Sequence, residues 1–167
     1  MSFVTQVIDA FELLYSGLRD SSFRKSLPLD QWSEKQPMPL VRTFLLGYFR
    51  PKARPEFGTV LPGALSGHGR VDFIVYGVAV EFAVRRPWCP RSDLMPRVNR
   101  TEVLKLMKHR GRALLVLFDL ARDGLEDHHL AGYRALPSMG RRNHSRSPFS
   151  VAYFGLRGEP VRLNVRV

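Results

Sequence analysis

Two apolar runs joined by a single glycine, VDFIVYGVAVEFAVR at residues 71–85, constrain the fold of this chain more than any other feature. Each run has the length and composition of a β-strand, and Gly77 permits the tight turn of a hairpin. Successive side chains of a strand alternate between its faces, so the pattern predicts one face with Val71, Phe73, Val75, Val80, Phe82 and Val84. Asp72 and Glu81 share the other face, with Ile74, Tyr76, Ala83 and Arg85. Charge inside such an apolar segment is unfavourable unless it is paired or bound, which makes this acidic pair a candidate site.

A second constraint is the apolar run ALLVLFDL at residues 113–120, which predicts a buried central strand. It follows RTEVLKLMKHRG, a predicted basic helix that ends at Gly111. A strand, a helix and a strand in this order predict a crossover connection with parallel pairing.

The remaining segments complete a single predicted domain over residues 1–167. Apolar spacing predicts an amphipathic helix over 3–18, and proline placement predicts a second helix from Pro39 to Pro51. We expect a loop with at most a short turn between these helices, irregular structure over 52–69, a further helix near 125–136 and a terminal hairpin after Pro148. The predicted class is α/β (α+β), with a mixed central sheet flanked by helices.

The composition indicates a polyanionic partner. The 167 residues include 26 Lys and Arg against 15 Asp and Glu, a net charge of +11, which favours nucleic acid as the ligand. The lone Cys89 excludes an internal disulfide, residues 1–20 lack the pattern of a signal peptide, and no apolar run is long enough to span a membrane. We therefore expect a cytoplasmic protein that does not contact membranes.

The order helix, GRVDF, tight turn, VAVEFAV, basic helix and ALLVLFDL resembles the PD-(D/E)xK, or restriction-endonuclease-like, nuclease superfamily. The resemblance covers a core of residues 31–120, between an N-terminal helix and loop (1–30) and a C-terminal helix, basic loop and hairpin (121–167). It implies a restriction-endonuclease-like fold in which Asp72 and Glu81 are catalytic ligands of a Mg²⁺ ion. Glu34 is the candidate for a further glutamate that some members carry on the preceding helix.

The lysine of the family motif is absent, because Ala83 stands two residues after Glu81. A methyl group can neither orient the attacking water nor neutralise charge. Arg85, on the same predicted face, and Lys105 or Lys108, on the next helix, are candidate replacements.

Three functions remain open on these grounds. The sequence favours a nucleic-acid-binding protein with a lost or weakened nuclease site, such as a subunit of a defence or DNA-processing complex. The second is an active Mg²⁺-dependent nuclease with a relocated lysine or arginine. The third is a basic subunit that binds other proteins, in which Asp72 and Glu81 pair with Arg70 and Arg85 and have only a structural role.

Clustered basic residues mark the predicted nucleic-acid interface, with DNA favoured over RNA. One group follows the predicted helix, and its side chains suit phosphate contacts as well as a solvated surface: Arg100, Lys105, Lys108, Arg110 and Arg112. The second group lies in the loop GRRNHSRS and comprises Arg141, Arg142 and Arg146.

Overall fold

A six-stranded mixed sheet forms the centre of the protein in the computed structural model, which describes residues 2–28, 36–60, 68–135 and 147–165. The strands lie in chain order: β1 (Ala53–Val60), β2 (His68–Val75), β3 (Val78–Arg85), β4 (Ala113–Asp119), β5 (Phe149–Gly155) and β6 (Val161–Val165). Strands β3, β4 and β5 are parallel, whereas β1–β2, β2–β3 and β5–β6 pair antiparallel. The predicted mixed sheet in a single α+β domain is confirmed.

The β2–β3 hairpin and the buried strand β4 form as predicted. Tyr76 and Gly77 connect β2 to β3 with positive φ angles of 50° and 75°, the backbone that a two-residue turn of matching twist requires. Every residue of β4 is buried. The crossover from β3 to β4 contains α4 (Arg100–Lys108).

Helices cover both faces of the sheet. On one face lie α1 (Phe3–Arg19) and α3 (Pro37–Phe49), whose apolar residues pack with Val80, Phe82 and Phe118. Helices α4 and α5 (Asp127–Ala131) pack their apolar residues with Leu115 and Leu117 on the other face. Val71 contributes to this second cluster, whereas alternation predicts it beside Phe73. The strand is therefore irregular between these two residues, at Asp72.

Two segments that lack a strong apolar pattern adopt regular structure, against the prediction. Residues 53–60 form β1 instead of an irregular segment, because they pair along β2 at the edge of the sheet. An edge strand tolerates Pro55, whose missing N–H is not needed on the open side. Residues 21–26 form the short helix α2, whose first turn is capped by Asp20 Oδ1 accepting from the Phe23 N–H at 2.8 Å.

The basic helix and the C-terminal part differ from prediction mainly in length. Helix α4 ends at Lys108, because His109 adopts an extended backbone (φ −69°, ψ 126°). Arg110 and Arg112 consequently lie beyond the helix, and the predicted ladder of five basic residues along it is wrong. Helix α5 covers only Asp127–Ala131 of the helix predicted near 125–136, while the terminal hairpin forms as β5 and β6. Within the described ranges, no helix is both long and apolar enough to cross a membrane.

Candidate active site

Asp72 lies where the β2–β3 ladder stops. Phe73 and Val80 are the last paired residues, and beyond them Asp72 Oδ2 accepts a hydrogen bond from the Phe82 N–H at 2.8 Å. The carboxylate thus replaces a backbone carbonyl as the acceptor, and the strands separate around it. This local geometry fixes the Asp72 carboxylate at the wall of a cleft that Glu81 also lines.

Glu81 contacts a lysine from the crossover helix. Lys105 Nζ, on α4, lies 3.0 Å from Glu81 Oε1 and 3.2 Å from Oε2. The Glu81 side chain is only 1% exposed, while that of Lys105 is 28% exposed. The ammonium group therefore reaches a buried carboxylate from the solvent side of the cleft. The structure brings together three predicted site residues: Asp72, Glu81 and Lys105.

Helix α4 is held in the position that this contact needs. Asn99, directly before the helix, is buried, and its side-chain amide donates to the carbonyl oxygens of Asp93 (3.0 Å) and Met95 (3.3 Å). Val103, Leu106 and Met107 are fully buried on the opposite side of the helix from solvent. Lys105 thus projects from an anchored element, which limits the freedom of its backbone.

The cleft has a volume of about 320 Å³ and contains further polar residues that the sequence analysis missed. Glu102 lies on α4 three residues before Lys105, a spacing that places both side chains on one helical face. Asp93 and Asn99 also line the cleft. The three-residue spacing from Lys105 could have predicted that Glu102 lies in the cleft. Nothing comparable in the sequence predicts the position of Asp93, which lies in the 3₁₀ turn Arg91–Leu94.

Burial weakens the acidity of both central carboxyl groups, and in Glu81 the charge of Asp72 adds to this effect. Burial, followed by the charge of Asp72, raises the pKa of Glu81 to about 8, although Lys105 acts in the opposite direction. Burial also raises the pKa of Asp72, while its hydrogen bond from Phe82 and the charge of Lys105 act to lower it. Glu81 therefore carries less negative charge near pH 7 than an exposed glutamate would.

This raised pKa predicts a pH-dependent stability in metal-free protein. Glu81 binds a proton more tightly in the folded state than in the unfolded chain, where its ordinary value is 4.5. The stabilisation is fully present below that value and is lost as pH rises through about 8. We expect Glu81→Gln to lose less stability than the unaltered protein between pH 5 and pH 8, measured by urea unfolding. Equal losses of stability in the two proteins would contradict the raised pKa of Glu81.

Arg85 does not join the site, so the prediction that it reaches back to Glu81 is wrong. Its side chain is fully buried, with Nε 2.8 Å from Asp119 Oδ1 and Nη2 2.7 Å from Asp119 Oδ2. The two residues are register partners at the ends of β3 and β4. Tyr153 also donates to Asp119 Oδ2 at 2.8 Å. This ion pair neutralises Arg85 inside the protein, although its buried Nη1 has no hydrogen-bond partner among the described residues.

The proposed structural pairing of the acids is not found either. Glu81 pairs with Lys105 rather than with Arg85. Among the described residues, no ion pair joins Asp72 to Arg70. Ala83 lines the same cleft as Glu81, as the sequence predicts, and leaves space where the family motif has a lysine.

The predicted basic interface is only partly assembled. Arg100 and Lys108 stand at the two ends of α4. Arg110 is exposed beyond the helix, and Arg112 lies over the ring of Phe3 at 5.5 Å, next to the start of β4. Arg141, Arg142 and Arg146, like Glu34, lie outside the described residues. An unpredicted arginine, the exposed Arg42 of α3, lines a neighbouring hollow that shares Met38 and Asp72 with the cleft.

Within the part of the chain that the structure describes, two places offer metal ligands. Asp72 and Glu81 provide oxygen donors, and Mg²⁺ is often bound by one or two carboxylates together with water and substrate phosphate. Two carboxylates are thus the set of protein ligands that a Mg²⁺ ion would need here, and Lys105 Nζ contacts both oxygens of one of them. The second place is an exposed group on the surface, where ligand atoms of Glu126, His128 and His129 lie within 4.8 Å of one another. Arg91 Nη1 already contacts Glu126 Oε1 there at 3.3 Å.

Comparisons with protein-family models, curated proteins and solved structures found no match to this chain.

Proposed function

We propose that the protein is a Mg²⁺-dependent nuclease in which Lys105 supplies the ammonium group that Ala83 lacks. The observation that carries this proposal is the contact of Lys105 Nζ with both oxygens of Glu81, beside Asp72. The resemblance to PD-(D/E)xK nucleases supports it, because that family is known to let its lysine move to another element. The net charge of +11 supports a nucleic-acid substrate.

The three central residues of the cleft and the neighbouring Arg42 have different roles in this proposal. Asp72 and Glu81 would hold Mg²⁺, which supplies charge neutralisation at the phosphate and a more acidic bound water. Lys105, partly exposed at the mouth of the cleft, donates hydrogen bonds toward the incoming phosphate or water. Arg42 contributes positive charge on the side of Asp72 where the cleft continues. Attack by water forms a new P–O bond and breaks the bond from phosphorus to the leaving oxygen, and the proton that the water loses balances the one that the leaving oxygen takes up.

A binding protein without cleavage is the second candidate, and Ala83 favours it. A lysine at position 83 would be held in place by the sheet, whereas Lys105 reaches the cleft from α4 and forms an ion pair with Glu81. If this ion pair is the whole role of Lys105, its ammonium group takes the place of a metal ion and does not assist one. Binding of Mg²⁺ separates the two candidates.

The test is a calorimetric titration of Mg²⁺ at pH 7 in buffers of different ionisation enthalpy. We expect saturable binding that releases protons, because the pKa of Glu81 is raised to about 8 and a metal ion at its oxygens would displace a proton. Asp72→Asn and Glu81→Gln should each weaken binding at least tenfold, since each removes one of the two ligands. Glu159→Gln, in an exposed turn, is the control. Absence of saturable binding, or equal binding in Asp72→Asn, would contradict the proposal.

A further inference from the structure

A second hollow, of about 550 Å³, lies where the three parallel strands end. Its walls include Pro87, two residues after the end of β3, and Leu120 and Leu156, which directly follow β4 and β5. In sheets with parallel strands, ligands commonly bind outside the carboxyl ends of those strands. Trp88 stands at this hollow with 83% of its surface exposed, which is unusual for so large an apolar side chain.

The turn that carries Trp88 is well defined. The Cys89 N–H donates to the Arg86 carbonyl at 3.1 Å, which closes a four-residue turn with Pro87 at its second position. The Leu120 N–H donates to the Arg85 carbonyl at 2.9 Å directly before this turn, so the sheet holds its base. The indole is thus presented to solvent by a short turn on a rigid support.

The charge at this hollow is positive. Arg24 and Arg122 line it, and the one acidic lining residue, Asp123, is ion-paired with Arg85 (3.5 Å) and Arg91 (3.2 Å). Arg24 and Arg122 therefore outnumber the single lining carboxylate. An aromatic surface flanked by two arginines combines the groups that bind single-stranded nucleic acid, a stacking surface and phosphate partners.

We propose that an unpaired nucleotide of the substrate binds here, with its base stacked on Trp88 and its phosphate held by Arg24 and Arg122. This inference rests on the proposed nuclease function and adds a binding site for single-stranded nucleic acid outside the cleavage cleft. Val84 lines the cleft and Pro87 lines the hollow. They are three positions apart along the chain, so their Cα atoms are at most about 11 Å apart. A strand of a few nucleotides would therefore be long enough to reach from the cleft to the hollow.

Fluorescence of Trp88 tests this site directly. The chain has two tryptophans, Trp32 and Trp88, so Trp32→Phe leaves the indole of interest as the sole tryptophan. We expect an eight-residue oligothymidylate, titrated in EDTA at low salt, to quench this fluorescence saturably. An abasic oligonucleotide of the same length should bind through its phosphates without that quenching. Quenching that is absent, or equal with both ligands, would overturn the proposal.

Matched variants give a second readout. In the Trp32→Phe background, Trp88→Ala should weaken oligothymidylate binding about tenfold to a hundredfold, as expected for loss of one stacked base, and Trp88→Phe should retain most of the affinity. Fluorescence anisotropy of a labelled oligonucleotide measures both. Arg24→Gln with Arg122→Gln should weaken binding of the thymidylate and the abasic ligand alike. Unchanged affinity in Trp88→Ala would show that the exposed indole serves another partner, such as a protein.

Failure of this site and failure of the nuclease proposal are distinguishable. Trp88→Ala should retain Mg²⁺-dependent cleavage of a small phosphodiester, thymidine 5′-p-nitrophenyl phosphate, which is too short to reach the hollow. Its cleavage of oligonucleotides at subsaturating concentration should fall by the same factor as its affinity. If the unaltered protein binds oligothymidylate at Trp88 but cleaves neither substrate, the nuclease proposal fails while this binding site stands.

Discussion

Lys105→Ala should lower Mg²⁺-dependent cleavage of DNA about 10²- to 10³-fold, the usual effect of removing one positioned donor from a reacting centre. The reason is the position of Nζ, 3.0 Å from Glu81 Oε1 in the cleft that Asp72 lines. The rate is measured under single-turnover conditions, so that product release does not conceal the change. Lys108→Ala, one helical turn further along α4, is the matched control and should retain cleavage within a few-fold.

A transplanted lysine makes this prediction sharper. Ala83 lines the cleft at the position where the family motif places its amine. In the Lys105→Ala background, Ala83→Lys should raise the cleavage rate at least tenfold, because it returns an ammonium group to the same cleft. Cleavage that is unchanged by Lys105→Ala would show that this lysine only neutralises Glu81.

Asp119→Ala should destabilise the fold by about 3–5 kcal/mol, the range for breaking a buried ion pair by removal of one partner. The change leaves the Arg85 guanidinium without its two hydrogen bonds to the carboxylate, in a place with no exposure to solvent. It also removes the acceptor of the Tyr153 hydroxyl. Urea unfolding followed by circular dichroism gives the change in free energy.

The double variant Arg85→Leu with Asp119→Leu is the control for this effect. Replacing both charges by apolar side chains leaves no unpaired charge and should recover much of the stability lost in Asp119→Ala. A loss below about 1 kcal/mol in Asp119→Ala would contradict the buried pair, since that is the range of an exposed one. Arg85→Ala is therefore a test of folding, and a loss of activity in it carries no information on catalysis.

The elements predicted from the sequence were those whose apolar pattern is complete within the element itself. Helix α1 shows helical spacing, β4 is apolar throughout, and Gly77 marks the hairpin turn. Strand β1 has no such pattern, and Pro55 disfavours a strand. Its structure comes from pairing with β2, a contact between segments that local sequence does not encode.

The same distinction applies to the site. Alternation along two adjacent strands was sufficient to place Asp72 and Glu81 together, because the turn at Gly77 fixes their register. Whether Lys105 or Lys108 faces them depends on how α4 rotates as it packs on the sheet, which spacing alone left open. The fate of Arg85 depended on Asp119, which lies 34 residues away along the chain and becomes its neighbour only through parallel pairing.

Cleavage of a labelled DNA strand in Mg²⁺, compared between the unaltered protein and Asp72→Asn, tests the central claim most directly. The substitution keeps the size of the side chain and an oxygen that can accept from the Phe82 N–H, but removes the charge that would hold the metal. We expect cleavage by the unaltered protein, no cleavage in EDTA, and a rate at least about 10³-fold lower in Asp72→Asn, because a metal ligand and the charge balance of the cleft are lost together. Both proteins should bind the DNA with similar affinity in EDTA. Undiminished cleavage by Asp72→Asn, or none by the unaltered protein despite bound DNA and Mg²⁺, would contradict the nuclease site.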